Sequence, residues 1–307
     1  MAGLKTFFQQ LLGGKQIEKP AEKAVEPEIL GTDVETLPVE PPHTKEQLHS
    51  GTFALGWLTD VGRVRGHNED ALFVFMGEQN ASDATLPFAL LMLADGMGGH
   101  QAGEVASSLS LRVAAHHLIS QVYAPLLSGS SGDLSLHEIV SEAVSKANRL
   151  ITQDVPGSGC TLTCGLILGQ RIFIGHVGDS RAYLLRQGEP LKCLTKDHSL
   201  VSRLKEMGQL TEEEAAVHPQ RNVLTRAIGQ GDSLEVDVTT HKLQPGDRLL
   251  LCSDGLWTMM EESDITRTIE ESASPAQACV RLVGAANAAG GNDNITVVLA
   301  EVCQDEE

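Results

Sequence analysis

The sequence predicts an α+β fold in which antiparallel sheets carry helices on their outer faces. Strand-like and helix-like stretches come in blocks rather than in strict β-α-β alternation, which disfavours a doubly wound parallel sheet. Several strand-like runs are continuously apolar, as strands buried on both faces are. Turn signals such as Gln187-Gly188 and Pro245-Gly246-Asp247 join some of them in the manner of hairpins.

Taken in order, the elements begin with Leu4, Phe7, Phe8, Leu11 and Leu12, which share one helical face before Gly13-Gly14. Residues 1–14 are therefore a short amphipathic segment, either a frayed tail or a face that docks to a partner or a membrane surface. Residues 15–50 are rich in Pro, Glu and Lys and nearly free of aromatics. They bury too little apolar surface to offset their ordering entropy and are expected to be a disordered linker. The folded domain is expected over 51–303, with an acidic tail at 304–307. Within it, apolar β-type runs mark strands at Leu86–Ala94, Thr161–Leu168, Arg171–Val177, Ala182–Arg186, Arg248–Cys252 and Ile295–Val302. Helical periodicity marks Ala102–Tyr123, Leu136–Gln153, a short amphipathic pair within Ser199–Val217, and Pro275–Ala289. The last of these opens with Ser274-Pro275 and closes with Gly290-Gly291, which are start and stop signals.

Composition removes several function classes. At 307 residues and 41% apolar content the chain can fill a sizeable core. A formal charge of -18 argues against nucleic acid as a partner, because phosphate-backbone binding needs clustered Lys and Arg. The cysteines at 160, 164, 193, 252, 279 and 303 include no CxxC pair and no zinc-type spacing, so reduced thiols in a cytoplasmic protein are expected. No apolar run approaches the roughly 20 residues that span a bilayer, and the N-terminus shows no secretory leader.

Four segments, LLMLADG, GHVGDSR, LLLCSDG and GGNDN, carry Asp95, Asp179, Asp254 and Asp293 beside apolar strands. One Asp-Gly is usually a turn, but the recurrence points elsewhere. Carboxylates converging at strand ends raise one another's pKa unless cations neutralise them. Oxygen donors without His or Cys select Mg²⁺ or Mn²⁺ over zinc. In a fifth segment, GRVRGHNEDAL, Arg65 stands four residues before Glu69-Asp70. Paired carboxylates there suit metal-bound water, and a guanidinium can fork two phosphate oxygens. An anion clamp beside a cation cluster is what phosphoryl transfer requires.

Across 51–303 the ordered motifs RGHNED, ADGMGGHQAGE, SGCTLT, HVGDSRAYLL, LTKDHSLV, NVLTRAIG, LLLCSDGLW and DNITVVL resemble the metal-dependent protein phosphatases, the type 2C Ser/Thr family, in its bacterial branch. The resemblance implies a four-layer αββα sandwich of two antiparallel sheets flanked by helices, with metals at one end of the cleft between the sheets. It implies hydrolysis of phosphoserine and phosphothreonine by a water that two Mn²⁺ or Mg²⁺ ions activate, without a phosphoenzyme. It makes Asp95 the carboxylate bridging both metals, with the Gly96 carbonyl on one and Asp254 and Asp293 on the other. Glu69 and Asp70 then hold metal-bound waters, Asp179 forms a weaker third-metal site with Asp254, and Arg65 binds the phosphate. Ser199–Val217 and the HPQRNV that follows match a mobile flap. Phosphorylated proteins are the implied partners, a Ser/Thr kinase or its substrates among them. A pseudo-phosphatase would lack one or more metal carboxylates, and here none is missing. A hydrolase of small phosphates would share the same site.

The chain departs from the animal members of the family in placing Met97 where they have a His proposed as general acid. His100 stands three residues on, in a run better suited to a Gly-rich bend. His67, His198 and His218 are expected to be hydrogen-bonding loop or flap residues. Cys252 is expected to be a buried strand residue, since its apolar surroundings offer no positive charge to form a thiolate. Cys160 stands where many relatives have Thr, a small change that should leave metal binding intact.

Overall fold

Residues 47–49, 52–81, 84–98, 101–128 and 135–303 are described by the computed structural model of the chain. One sheet has the strand order β1 (Gln47–His49), β2 (Phe53–Asp60), β12 (Ile295–Val302), β11 (Arg248–Cys252), β8 (Arg181–Leu185), β9 (Lys192–Cys193). The other runs β10 (Asp237–Lys242), β7 (Arg171–Val177), β6 (Leu162–Leu168), β4 (Ala84–Met97), β3 (Asp70–Ala81), with the short β5 (Gly159–Cys160) on β4. All these pairings are antiparallel.

Side-chain parity along the strands sets the layer order. Leu90, Met92 and Ala94 of β4 pack with Ala106, Leu111 and Leu118 of α1 (Gln101–Leu118) and with the apolar face of α3 (Leu136–Asp154). Ala89 and Leu91, of opposite parity, join Leu55, Leu249, Leu251 and Val298 from the other sheet. On that sheet, Leu250, Cys252, Val297 and Leu299 turn outward onto Ile265 and Ile269 of α7 (Glu262–Glu270) and Ala278, Leu282 and Ala286 of α8 (Pro275–Ala288). Three cores between four layers make an αββα sandwich. Each fully buried Leu contributes about 1.5–3 kcal/mol relative to exposure, so a one-residue slip of a strand, which exchanges its faces, is strongly disfavoured.

Several elements differ from the sequence expectation. The helix expected to run to Tyr123 stops at Leu118, widens into a π turn over Ile119–Tyr123 and resumes as α2 (Ala124–Leu127). Pro125, which has no N–H for the regular ladder, stands just beyond the wide turn. The flap pair is observed as α4 (Leu200–Glu206) and α5 (Glu212–Ala216); Ser199 caps the first, and a Thr211/Glu214 capping box opens the second. A one-turn helix, α6 (Asp254–Trp257), follows β11 directly. Strands β2, β3, β5, β9 and β10 and helix α7 emerge only in the structure. The sheet starts at Gln47, inside the stretch expected to be linker, where β1 pairs with β2, and the chain divides between His43 and Thr44. The amphipathic segment 1–14, most of the linker, the acidic tail and His100 lie outside the described residues. Among the described residues no helix is long and apolar enough to cross a membrane.

Candidate active site

The antiparallel register of β3 and β4 sets Asp70 directly opposite Asp95. Two carboxylates thus begin the site on one sheet. Asp254 comes from the facing sheet, as the first residue of α6 after β11, and Asp293 lies just before β12. Asp179 sits in the turn between β7 and β8. These strand ends meet at one rim of the sandwich around a cleft of about 450 Å³. Its lining includes Arg65, Glu69, Asp95, Gly96, Asp179, Asp254 and Asp293. Of the site residues expected from the sequence, all but Asp70 line this cleft, and Asp70 pairs with Asp95 across β3 and β4. Met97 and His67 also line the cleft, whereas His198 and His218 do not.

Burial and mutual repulsion set the electrostatics of these carboxylates. Burial raises the Asp95 carboxyl well above its ordinary pKa, and Asp70, Asp254, Asp179 and Asp293 raise it further. Burial and then Asp179, Asp293 and Asp70 do the same to Asp254. Asp70 is pushed up to about 6 by burial, against hydrogen bonds from Thr296 and Ser253. Asp179 is pushed up to about 7 by burial and then by Asp197. Ser253 Oγ donates to Asp70 Oδ2 at 2.8 Å, yet the Oδ1 atoms of Asp70 and Asp254 are buried with no hydrogen-bond partner. Orphaned carboxylate oxygens are costly, and hard divalent cations such as Mg²⁺ or Mn²⁺ answer both the missing bonds and the mutual repulsion. No three His, Cys, Asp or Glu side chains among the described residues close on one point.

Backbone contacts hold the rim. Gly96 N–H donates to Glu69 O at 3.2 Å, and Ser107 Oγ donates to the same carbonyl at 2.6 Å. A Cβ on Gly96 would strike the carbonyl oxygens of Gly103 and Glu69. Asn294 ties the Arg65 loop down: Glu69 N–H donates to its Oδ1 at 2.8 Å, and its Nδ2 donates to Val61 O at 2.9 Å and His67 O at 3.0 Å. Thr161 accepts from Asp95 N–H at 2.9 Å and pairs with Ser180 Oγ at 2.7 Å. Arg65 Nη2 donates to Asp293 Oδ2 at 2.7 Å, half-exposed at the mouth. Glu69 Oε1 lies 3.2 Å from His67 Nε2. Sequence reasoning missed Asn294, Ser253 and Thr161, and also Asn222 and Leu224, which line the cleft from the end of the flap. The motifs DNITVVL, LLLCSDGLW, SGCTLT and NVLTRAIG contained all five. Cys160 and Cys252 are buried and take no part: burial pushes Cys160 up to about 12, and Cys252 also well up.

An αββα sandwich whose rim gathers oxygen donors with orphaned, repelling carboxylates defines a metal-dependent hydrolase. The profile of the family described as protein phosphatase 2C matches residues 40–295, and the chain belongs to that family. It is 38% identical to the serine/threonine phosphatase stp of Listeria monocytogenes over 79% of this chain and 93% of that protein. It is 36% identical to the protein phosphatase PhpP of Streptococcus pneumoniae over 81% of this chain and 97% of that protein. The crystal structure of the serine/threonine phosphatase PstP of Mycobacterium tuberculosis superposes with a TM-score of 0.69 at 37% identity, covering 82% of this chain and 100% of that one. A crystal structure of the PstP catalytic domain in complex with 2 manganese ions gives 0.67 at 35% identity, covering 82% and 99%.

Proposed function

We infer that this chain is a serine/threonine protein phosphatase that hydrolyses phosphoserine and phosphothreonine in protein substrates. The observation that carries the reading is the pair of buried, partnerless Oδ1 atoms of Asp70 and Asp254 among carboxyls with raised pKa, in a chain whose relatives are Ser/Thr phosphatases and whose structural neighbour holds two manganese ions. Bound divalent ions of that kind lower the pKa of a coordinated water toward neutrality and offset charge on the phosphate.

The chain's own groups then divide the work. Asp95, the most crowded carboxylate, would hold divalent ions together with the Gly96 carbonyl, Asp254 and Asp293, and the ions would supply an activated water and offset phosphate charge. Asp70 and Glu69, flanking Asp95 on β3 and just before it, orient water. Asp179 with Asp254 is assigned a weaker third position. Arg65 presents the phosphate: Nη2 engages Asp293, and a guanidinium has five N–H donors, so others remain for phosphate oxygens. Met97 has no proton to give, and water is the donor we assign to the leaving oxygen. The partners we assign are phosphorylated proteins, a Ser/Thr kinase or its substrates among them, and the location the cytoplasm, where buried thiols such as Cys160, Cys164 and Cys252 stay reduced.

Exhaustive chelation is expected to abolish turnover of a phosphothreonine peptide, and Mn²⁺ or Mg²⁺ to restore it better than Zn²⁺. Asp254→Asn is expected to lose turnover while keeping a cooperative melt. Full activity in the chelated protein, or in Asp254→Asn, would overturn the assignment. Faster hydrolysis of nucleotides than of phosphopeptides would redirect it to small phosphates.

A further inference from the structure

The segment Lys196–Ser199 makes four successive ties, each to a different element. Lys196 O faces His176 Nε2 at 3.1 Å. Asp197 takes a two-pronged contact from Arg181, at 3.0 and 2.7 Å, and that guanidinium lies 3.8 Å from the centre of the Trp257 ring. Ser199 caps α4. His198, between them, is buried and reaches in two directions. Gly178 N–H donates to its Nδ1 at 3.1 Å, and its Nε2 lies 3.1 Å from Asp237 Oδ2. Because an amide can only donate, Nδ1 is the acceptor nitrogen, and the proton resides on Nε2, which donates a hydrogen bond to Asp237 Oδ2. Asp237 is held in turn by Arg226 Nη1 at 2.8 Å.

The backbone of His198 completes the junction. Its N–H donates to Gly178 O at 2.7 Å, and its carbonyl accepts from Thr225 N–H at 2.7 Å. Leu200 N–H donates to Val223 O at 2.8 Å, next to an isolated bridge between Ser199 and Leu224. One residue therefore joins the Gly178–Asp179 turn to both ends of the flap, including the returning segment whose Asn222 and Leu224 line the cleft. Gly178 has φ +113 and a Cβ there would strike Thr161, so only glycine fits the turn at this point. Its far side is held by Trp257 Nε1 on Asp179 O at 3.1 Å.

We propose that His198 is a positioning residue: through Nδ1 it clamps the Gly178–Asp179 turn to the root of the flap, so that the placement of the Asp179 carboxylate and the placement of Asn222 and Leu224 are coupled. The metal consequence rests on the reading of Asp179 given above; the clamp itself does not.

Two near-isosteric substitutions separate the two arms of the ring. His198→Asn keeps an acceptor oxygen near the Nδ1 position and loses the reach to Asp237; His198→Gln keeps a donor near Nε2 and loses the acceptor for Gly178. Hydrogen exchange of a peptide covering 175–181 is measured on the metal-stripped full chain, beside Mn²⁺ titration calorimetry and a thermal melt. His198→Gln is expected to speed exchange at Gly178 about tenfold, the loss of one hydrogen bond, and to weaken the weakest Mn²⁺ site by a similar factor while sparing the tighter sites. His198→Asn is expected to stay within about threefold of wild type in both. The reverse order, with Gln like wild type and Asn impaired, would show that only the Asp237 contact matters and would overturn the clamp; so would wild-type exchange in both. Asp179→Ala serves as the reference: if its Mn²⁺ sites are all unchanged while His198→Gln still frees Gly178, the clamp stands and only the metal role of Asp179 falls.

Discussion

Asp70 and Asp179 retain protons up to about 6 and about 7 in the metal-free chain, whereas an unfolded aspartate loses its proton near 3.9. Over that window the folded chain holds more protons than the unfolded one, so stability falls as pH rises. Below about pH 4 both states are protonated and the penalty vanishes. The chelated protein is expected to melt at a lower temperature at about pH 7.5 than at about pH 5. Saturating Mn²⁺ is expected to reverse the slope, since ion and proton compete for the same carboxylates. A chelated melting temperature that climbs over that range would contradict the burial of these groups. Arg65 acts at the same scale with a different signature. Its contact with Asp293 is half-exposed and adds little to stability, so Arg65→Ala is expected to leave the melt nearly unchanged. It is expected to raise KM for a phosphopeptide markedly, with a smaller fall in kcat, because a forked phosphate contact acts first on substrate binding. An unchanged KM would remove Arg65 from the substrate.

Elements meet at the rim with almost no spare room, and their glycines divide accordingly. Gly255 in α6 carries its hydrogen where a Cβ would collide with the carbonyl of Asn294, the residue that also pins the Arg65 loop. Gly255→Ala is expected to cost about 1–3 kcal/mol by overpacking, and to reduce turnover by displacing Asp254 and Asn294 together. Gly284, in the exposed face of α8, has nothing within 4 Å of a built Cβ. Gly284→Ala is expected to stabilise by about 0.5–1 kcal/mol through helix propensity alone. Opposite shifts in one melting experiment would verify the pair; a destabilised Gly284→Ala would refute the open face.

The whole chain divides between His43 and Thr44, and β1 begins three residues later with Gln47 paired to Gly56. Removing residues 1–43 is expected to leave aryl phosphate hydrolysis and the melt unchanged, while removal through residue 50 strips β1 from β2 and lowers the melting temperature. Equal stability of the two truncations would make β1 dispensable. The difference bears on what a sequence discloses. Strands β6, β7, β11 and β12 and helix α8 were legible because burial between layers demands apolar runs, and α8 carries its own cap and stop. Strand β2 was not, although its stretch 53–58 is largely apolar and interrupted by one glycine just as β6 and β7 are. Strand β10 is polar because it lies at a sheet edge. The aspartates Asp95, Asp179, Asp254 and Asp293 were visible one by one as strand-linked Asp residues, and the acidity of each motif is a local property of the chain. That Asp70 faces Asp95, that Asn294 knots two loops and that His198 ties the flap to Asp179 depend on antiparallel register and on contacts between residues as far apart as Glu69 and Asn294. Sequence by itself determined where aspartates follow apolar strands and which residues form the apolar layers, because both are written in residue type. Only the tertiary structure decided which carboxylates share a cavity and which polar side chains hold them there, because pKa shifts and hydrogen bonds arise from distance and burial, which no single segment contains.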